Sequence, residues 1–321
     1  MTTPLRFVGQ GPIPGARVHP DPLKDPAGYR AGDDLVRAVE VALALGMPLL
    51  VTGDPGTGKT QLAYRMAAEF GIDEVLRFDT KSSSQAPELF YQFDAIRRFA
   101  QAQLDATAGR EPMPARQFVR WQALGTAILR TRDAAWMRSK LGSAEGHVGP
   151  TRSVVLIDEI DKAPRDFPND LLNQIENREF YVPELDQTFD ADPAFAPVVV
   201  ITSNSEKQLP EAFLRRCVYH HIEFPKDHGE LQQILGARLQ RLTLPTKVQQ
   251  DAVNLFFAVR EDKRFSRAPS TSELLDWLRA LAIAKIDPDR PLRQQPAALS
   301  AAASALFKTR EDLEHARSLA T

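Results

Sequence analysis

The sequence predicts an α/β fold in which a parallel β-sheet core is followed by a small C-terminal α-helical domain. Three observations predict it. Short, continuous apolar runs end in polar residues, which is typical of strands buried on both faces of a parallel sheet. A glycine-rich segment joins the first of these runs to an amphipathic helix. From about residue 226 onward, apolar residues recur only at helical spacing.

The composition is that of an ordinary globular protein with room for one large and one small domain. The chain has 321 residues, of which 43% are apolar and 26% charged. Its formal net charge of −2 predicts no general affinity for nucleic acid. The single cysteine, Cys217, excludes an intramolecular disulfide, and the chain has neither a signal-peptide pattern nor a run of 18 apolar residues. We therefore expect a cytoplasmic protein without a membrane span.

We divide the chain into three parts. Residues 1–28 contain six prolines and four glycines and are predicted to form an arm, either disordered or packed along the core. Residues 29–225 are predicted to form an α/β nucleotide-binding core, which carries an insertion within residues 81–148. Residues 226–321 are predicted to form an α-helical lid.

The stretch GDPGTGKT, residues 53–60, has the spacing of a phosphate-binding loop. An apolar run precedes it and a helical pattern follows it, which favours this interpretation over an ordinary Gly/Pro turn. Lys59 is expected to reach the β- and γ-phosphates of a nucleotide, and the Thr60 hydroxyl to bind Mg²⁺. The predicted nucleotide-binding residues of this loop and the turn after it are Gly53, Asp54, Pro55, Gly56, Thr57, Gly58, Lys59, Thr60 and Gln61.

The next fully apolar run, residues 154–157, ends in two carboxylates, Asp158 and Glu159. Ligands of open α/β sheets bind at the carboxyl ends of the strands. Asp158 is therefore a candidate ligand of Mg²⁺, and Glu159 a candidate base that activates water. This pair favours hydrolysis over phosphate transfer to a metabolite, because a kinase must exclude water. The alternative is that Glu159 only caps or solvates the following turn.

Two further segments complete the predicted site. Residues 198–201 form a third apolar run, after which Asn204 is expected beside Glu159, holding the attacking water or sensing the γ-phosphate. As an alternative, Asn204 is a plain turn residue. The helix predicted in LPEAFLRRC ends with Arg215 and Arg216. Either could be an arginine finger that enters a neighbouring subunit's site, or both could only complement the helix dipole.

In the insertion, a stripe formed by Leu89, Phe93, Ile96 and Ala100 predicts one helix, and residues 121–129 predict another. Residues 179–183 and 187–190 predict a β-hairpin. In the lid, Ser270 and Glu273 form a capping box that predicts the start of a helix.

Read in order, GDPGTGKT, VVLIDEIDKA, ITSN and LPEAFLRRC resemble the AAA+ ATPases, and among them the MoxR-type branch of the helix-2-insert clade. The resemblance covers residues 30–280. It implies a homo-oligomeric ring, usually a hexamer, with ATP and Mg²⁺ at each subunit interface. It also implies chaperone-like remodelling of a protein client, commonly with a partner that carries a von Willebrand A domain.

The resemblance also implies roles for individual residues. Lys59 and Thr60 correspond to Walker A, Asp158 and Glu159 to Walker B, and Asn204 to sensor 1. Arg216 takes the finger position, but Arg215 replaces the family's usual acidic residue, so both arginines stay candidates. Arg267 precedes the lid helix where the sensor 2 arginine commonly approaches the γ-phosphate, and Arg279 is a later candidate.

Several functional alternatives remain open at this point. A nucleotide-gated scaffold with slow hydrolysis, in a signalling or defence complex, would need the same motifs. A DNA-acting translocase or helicase loader is disfavoured by the charge and the absence of an appended DNA-binding motif. Within a ring, Phe90, Tyr91 and Phe93 could form an aromatic loop that faces the pore, although their spacing favours a buried helix.

Overall fold

The computed structural model describes residues 5–15, 19, 21–147, 149–205, 209–225, 227–239, 244–284, 286–287 and 289–319. The chain divides into two compact units. The first contains the chain up to Val8, Asp33–Thr52 and Met66–His221. The second contains Gly9–Gly32, Gly53–Arg65 and the chain from Ile222 onward.

The described residues form nine strands in three sheets. The strands are β1 (Leu49–Gly53), β2 (Val75–Asp79), β3 (Tyr91–Phe93), β4 (Val119–Trp121), β5 (Val154–Asp158), β6 (Glu179–Val182), β7 (Gln187–Asp190), β8 (Val198–Thr202) and β9 (Val218–Ile222). The helices are α1 (Asp33–Leu45), α2 (Lys59–Glu69), α3 (Ala95–Thr107), α4 (Ala123–Arg130), α5 (Ala134–Leu141), α6 (Phe167–Asn177), α7 (Glu211–Leu214), α8 (His228–Arg238), α9 (Thr246–Glu261), α10 (Thr271–Ile283), α11 (Pro296–Leu306) and α12 (Arg310–Leu319).

The core of the first unit is a five-stranded sheet with the strand order β2-β5-β8-β1-β9. The pairings of β2 with β5, β5 with β8 and β8 with β1 are parallel. Every residue of β1 and of β5 is buried, because helices cover both faces of a parallel sheet. The predicted α/β class with a parallel sheet and C-terminal helices is confirmed.

In the insertion between β2 and β5, the helix predicted from residues 121–129 is present as α4, whereas the region of the other predicted helix differs. β3 and β4 form an antiparallel pair in which Tyr91 lies opposite Trp121. Along the chain, α3 lies between these two strands. The predicted stripe through Leu89 and Phe93 is wrong, because α3 begins only at Ala95. Its start is fixed by Asp94, whose side chain accepts a hydrogen bond from the backbone N–H of Arg97.

The predicted hairpin of residues 179–190 is confirmed as the antiparallel pair β6–β7. Its inward-facing residues Phe180 and Phe189 stack at a ring-centroid distance of 5.4 Å. Phe90 stacks on Phe180 at 4.9 Å, and Trp121 contacts Phe189 edge-on at 5.1 Å. This aromatic cluster joins the hairpin to the β3–β4 pair.

The second unit has its own apolar core, formed mainly by α8 to α11. The predicted capping box is present at the start of α10, where Ser270 and Glu273 exchange side-chain and backbone hydrogen bonds. Of the predicted N-terminal arm, the described residues from Gly9 onward belong to this unit and residues 5–8 to the first unit, while residues 1–4, 16–18 and 20 lie outside the described residues. The Arg238 guanidinium donates to the carbonyls of Leu23 and Asp25 at 2.9 and 2.8 Å and holds that segment on α8. None of the helices within the described ranges has both the length and the apolar character needed to span a membrane.

Candidate functional site

The glycine-rich loop leaves the carboxyl end of β1 in a conformation that requires glycine. Gly53 and Gly58 have φ angles of +143° and +94°. A Cβ atom at Gly53 would lie 2.5 Å from the carbonyl oxygen of Ile222. The sequence pattern of glycines therefore reflects both backbone conformation and close packing of the main chain.

The loop folds around the Lys59 side chain, which is buried at the start of α2. The Lys59 Nζ atom donates hydrogen bonds to the carbonyls of Gly53 at 2.7 Å and of Asp54 at 3.0 Å. The Thr57 hydroxyl closes the same turn by donating to the Asp54 carbonyl at 2.8 Å. One ammonium is thus fixed at a helix N-terminus, an arrangement suited to binding phosphate oxygens.

Next to the loop, Gln61 carries a buried side-chain oxygen with no hydrogen-bond donor among the described residues. Buried acceptors are normally paired, so this atom fits a site that a polar ligand completes.

The segment before α10 lies against this loop within the second unit. A Cβ atom at Gly56 would lie 2.6 Å from the Ser270 hydroxyl oxygen. Arg267, the predicted sensor 2 residue, is three residues earlier and forms an ion pair with Glu273 of the capping box. Arg279, the later candidate, instead lies 3.5 Å from the Asp21 carboxylate. Of the two candidates, Arg267 belongs to the turn that borders the loop.

Two residues beside the loop were not anticipated from the sequence. Tyr29 packs against Gly58, and burial raises the pKa of its phenol well above the usual range. The Arg260 guanidinium lies 3.4 Å from the centroid of the Phe224 ring and donates to the Pro269 carbonyl. Burial lowers the pKa of Arg260, and the Asp54 carboxylate opposes that shift. One sequence feature could have indicated Arg260: it is a basic residue within an otherwise apolar helical stripe.

The other predicted residues lie at the carboxyl edge of the sheet, in the first unit. Asp158 ends β5 and is buried. Its Oδ1 atom accepts a hydrogen bond from the Thr202 hydroxyl of β8 at 2.6 Å, and its Oδ2 atom pairs with Arg77 of β2 at 2.9 Å. Both neighbouring strands therefore orient this carboxylate. Thr202 and Arg77 were not predicted as partners, because the sequence alone does not show which strands are neighbours.

Glu159 follows at a backbone φ of +56°, which turns the chain sharply away from the strand. Its backbone N–H donates to the Thr202 hydroxyl at 2.9 Å. Its side chain is partly exposed and pairs with Lys162 one turn later. Hydrogen bonding to Glu159 raises the pKa of the Lys162 ammonium. The Glu159 carboxylate is therefore accessible to solvent, as a water-activating base must be.

Asn204 stands at the end of β8 and is joined to the segment after β5 by Asp161. The Asn204 backbone N–H donates to Asp161 Oδ1 at 3.1 Å, and its amide nitrogen lies 3.5 Å from Oδ2. Asp161, the third acid of the DEID sequence, was not predicted to take part. It places the predicted sensor residue at the same sheet edge as Asp158 and Glu159.

The two arginines after α7 differ in their partners. Arg216 Nε pairs with Glu176 of α6 at 3.0 Å, and Arg216 also donates to the Ala212 carbonyl. Arg215 pairs only with Glu211 of its own helix among the described residues, and its side chain is 75% exposed against 44% for Arg216. Arg216 is therefore the more strongly oriented of the two.

The oxygen ligands predicted for a metal are the Thr60 hydroxyl and the Asp158 carboxylate. Within the described ranges, no three His, Cys, Asp or Glu side chains come together as a metal-binding group. A hydroxyl and a carboxylate are oxygen donors of the kind that suits Mg²⁺, which proteins usually bind through one or two carboxylates together with substrate phosphates.

Comparison with protein-family models identifies the family of the chain. A family model described as the AAA domain of the dynein-related subfamily matches residues 48–217, more than half of the chain. No curated protein matches the sequence significantly.

Among solved structures, the chain is similar to the Holliday junction branch migration motor RuvB of Thermotoga maritima and to two single-substitution variants of it. The identities are 16%, 17% and 16%, and the TM-scores are 0.46, 0.44 and 0.46. The matches cover 86%, 86% and 85% of this chain and 70%, 70% and 69% of those chains. At such identities the likeness concerns the fold alone.

Proposed function

Because the chain belongs to the dynein-related AAA family, we propose that it is a MoxR-like AAA+ ATPase that works as a ring, with ATP bound at each subunit interface. Hydrolysis would drive the remodelling of a protein client. The observation that carries this proposal is the polar edge of β5 and β8, where Asp158, Glu159 and Asn204 are each held in place by a neighbouring side chain or backbone turn.

The nucleotide-binding step is assigned to the loop. Lys59 and the backbone amides at the start of α2 bind the phosphates, and the buried Gln61 oxygen supplies a further polar contact. Thr60 and Asp158 hold Mg²⁺, which when bound neutralises the phosphate charge. Arg267 reaches the γ-phosphate by leaving Glu273, its partner at the turn beside the loop.

Glu159 then removes the proton from the attacking water, and Asn204 orients that water. The exposed carboxylate of Glu159 and the tethered amide of Asn204 support these roles. Arg216, with Arg215 as the alternative, stabilises the developing charge in the neighbouring subunit.

The insertion is the region from which we propose contact with a client. It has the order β3-α3-β4 between β2 and β5, and the β6–β7 hairpin follows β5 in the chain. Phe90 is buried and the Tyr91 hydroxyl donates to Glu184 at 3.0 Å, so these aromatic residues serve packing. The exposed apolar residues of α3 are therefore the better candidates for gripping a client. A partner with a von Willebrand A domain would deliver that client.

The test is the Glu159→Gln variant. We expect retained ATP binding and assembly, with turnover reduced at least ~100-fold, because a general base is lost. Steady-state ATPase rates and nucleotide binding by calorimetry measure the two effects. Glu179→Gln is the matched control, since Glu179 is an exposed residue of β6. Near-normal turnover in Glu159→Gln would refute the assigned role.

Assembly and client action need separate measurements. The mass of the particle with and without ATP, measured by light scattering, is expected to increase to that of a ring. ATPase turnover is expected to rise when a von Willebrand A-domain protein and a client are added. A scaffold with slow hydrolysis would show no such stimulation.

A further inference from the structure

The helical second unit contains a cavity of about 450 Å³ that the nucleotide site does not use. It lies between α9, the loop after α9, α10, α11 and α12. None of its lining residues belongs to the phosphate-binding loop or to the turn before α10. Its volume is in the range of about 300–1,000 Å³ that is typical of small-molecule sites.

The walls of the cavity are apolar. Leu255 and Val259 of α9 face Leu299 and Ala303 of α11, and Phe307 closes one side. The cavity is open because α11 has the sequence PAALSAAASAL, whose small side chains do not fill the space between helices. Such walls favour the apolar part of a ligand, because binding removes its surface from water.

A polar group is available inside the cavity. Trp277 of α10 lines it and is only 2% exposed. Its indole N–H is a hydrogen-bond donor, and a ligand that carries an acceptor oxygen would pair with it.

The charge at the rim of the cavity is positive. Arg264 is neutralised by Asp262, to which it donates at 2.7 Å, and Asp262 also accepts from His315 at 3.4 Å. These hydrogen bonds hold the pKa of Asp262 well below its usual range. The carboxylate is therefore ionised, and it already has Arg264 and His315 as partners. Arg293 also lines the cavity, and its exposed guanidinium makes no ion pair with the described residues. The unbalanced charge is therefore that of Arg293.

We infer that this cavity binds a small amphipathic organic anion, such as a medium-chain carboxylate. The apolar chain lies between α9 and α11, the anionic end pairs with Arg293, and an acceptor oxygen receives the Trp277 N–H. This inference does not depend on the proposed ATPase activity.

The test compares decanoate with the neutral decanol, both below the concentration at which they aggregate, by isothermal titration of the full chain. We expect saturable binding of one decanoate per chain. Its affinity should exceed that of decanol about tenfold, the effect of one charge-assisted hydrogen bond. The Arg293→Gln variant should remove this preference. The matched control Arg290→Gln, an exposed arginine outside the cavity lining, should keep it.

A second variant tests the position of the apolar chain. Ala303→Leu adds volume to the cavity wall and should reduce binding of both ligands at least ~10-fold, which thermal melting must show to occur in a folded protein. The inference is overturned if decanoate shows no saturable binding. It is also overturned if both Arg293→Gln and Ala303→Leu bind decanoate as the wild-type chain does.

Discussion

The carboxyl edge of the central sheet and the helix α3 of the insertion are built in opposite ways. At the sheet edge, the polar side chains of Asp158 and Thr202 rest on strands whose residues are almost all buried and apolar. On α3 almost every side chain is exposed, and the one buried side chain is polar: Asp105 accepts hydrogen bonds from Gln101 at 2.9 Å and from the backbone N–H of Met113.

The apolar side chains of α3 point to solvent instead. Ile96, Phe99 and Leu104 are 85%, 68% and 63% exposed. A surface helix normally buries its apolar stripe, so the exposed apolar side chains of α3 favour a surface that contacts something outside the chain. Under the proposed function, polar groups act at the sheet edge and apolar groups act on α3.

The largest effect should come from Arg216→Ala, which tests whether Arg216 acts on the nucleotide bound to a neighbouring subunit. Loss of an arginine finger is expected to reduce turnover about 10³-fold or more while ATP binding persists. Arg215→Ala is the matched control and should change turnover little, because Arg215 pairs only within its own helix among the described residues.

Mixed assemblies make this test sharper. A subunit with Arg216→Ala keeps its own loop, and a Lys59→Ala subunit keeps its arginine. Mixing the two should restore part of the activity if Arg216 acts on a neighbour. An absence of recovery in particles shown to be mixed would contradict action in trans.

Lys59→Ala should have the next largest effect, and this effect should appear in the affinity for ATP. Removing the ammonium from its buried position at the loop should weaken ATP binding by about 2–5 kcal/mol, or roughly 30-fold or more. Calorimetric titration with a non-hydrolysable ATP analogue measures this. Lys308→Ala, which removes an exposed lysine at the end of α11, is the control that should bind normally. Unchanged affinity in Lys59→Ala would mean that the loop does not bind phosphate.

A stability comparison separates the packed from the exposed aromatic residues of the insertion region. Phe180→Ala should lower the free energy of unfolding by about 3–5 kcal/mol, because Phe180 is buried between Phe90 and Phe189. Phe99→Ala should change it by less than about 0.5 kcal/mol, because Phe99 is largely exposed. Denaturant unfolding monitored by circular dichroism measures both. Equal losses would show that α3 is packed in solution.

The sheet was predictable because its signals are local. A strand buried on both faces is a continuous apolar run, and the glycine loop and the capping box of α10 have fixed spacings. The partners of the site residues were not predictable, because they depend on which strands are neighbours. Arg77 and Thr202 contact Asp158 only because β2 and β8 flank β5.

The first half of the insertion was mispredicted for a related reason. β3 and β4 have three residues each and pair across a gap that contains a whole helix, so no local pattern identifies them. The apolar spacing of α3 was present in the sequence, but spacing alone does not tell whether a stripe faces the core or solvent. That distinction required the tertiary structure.

The smallest effect on the chain alone, and the most direct test of α3, should come from the double substitution Ile96→Ser with Leu104→Ser. Stability and basal ATPase turnover should stay as in the wild-type chain, since both side chains are exposed and lie away from the sheet edge in sequence. Stimulation of turnover by a client should be lost, because the apolar contact surface is removed. Ile283→Ser removes an equally exposed isoleucine from the end of α10 and should preserve stimulation. If both variants respond to the client alike, α3 does not contact the client. The sheet edge and α3 would then differ only in how their side chains are packed.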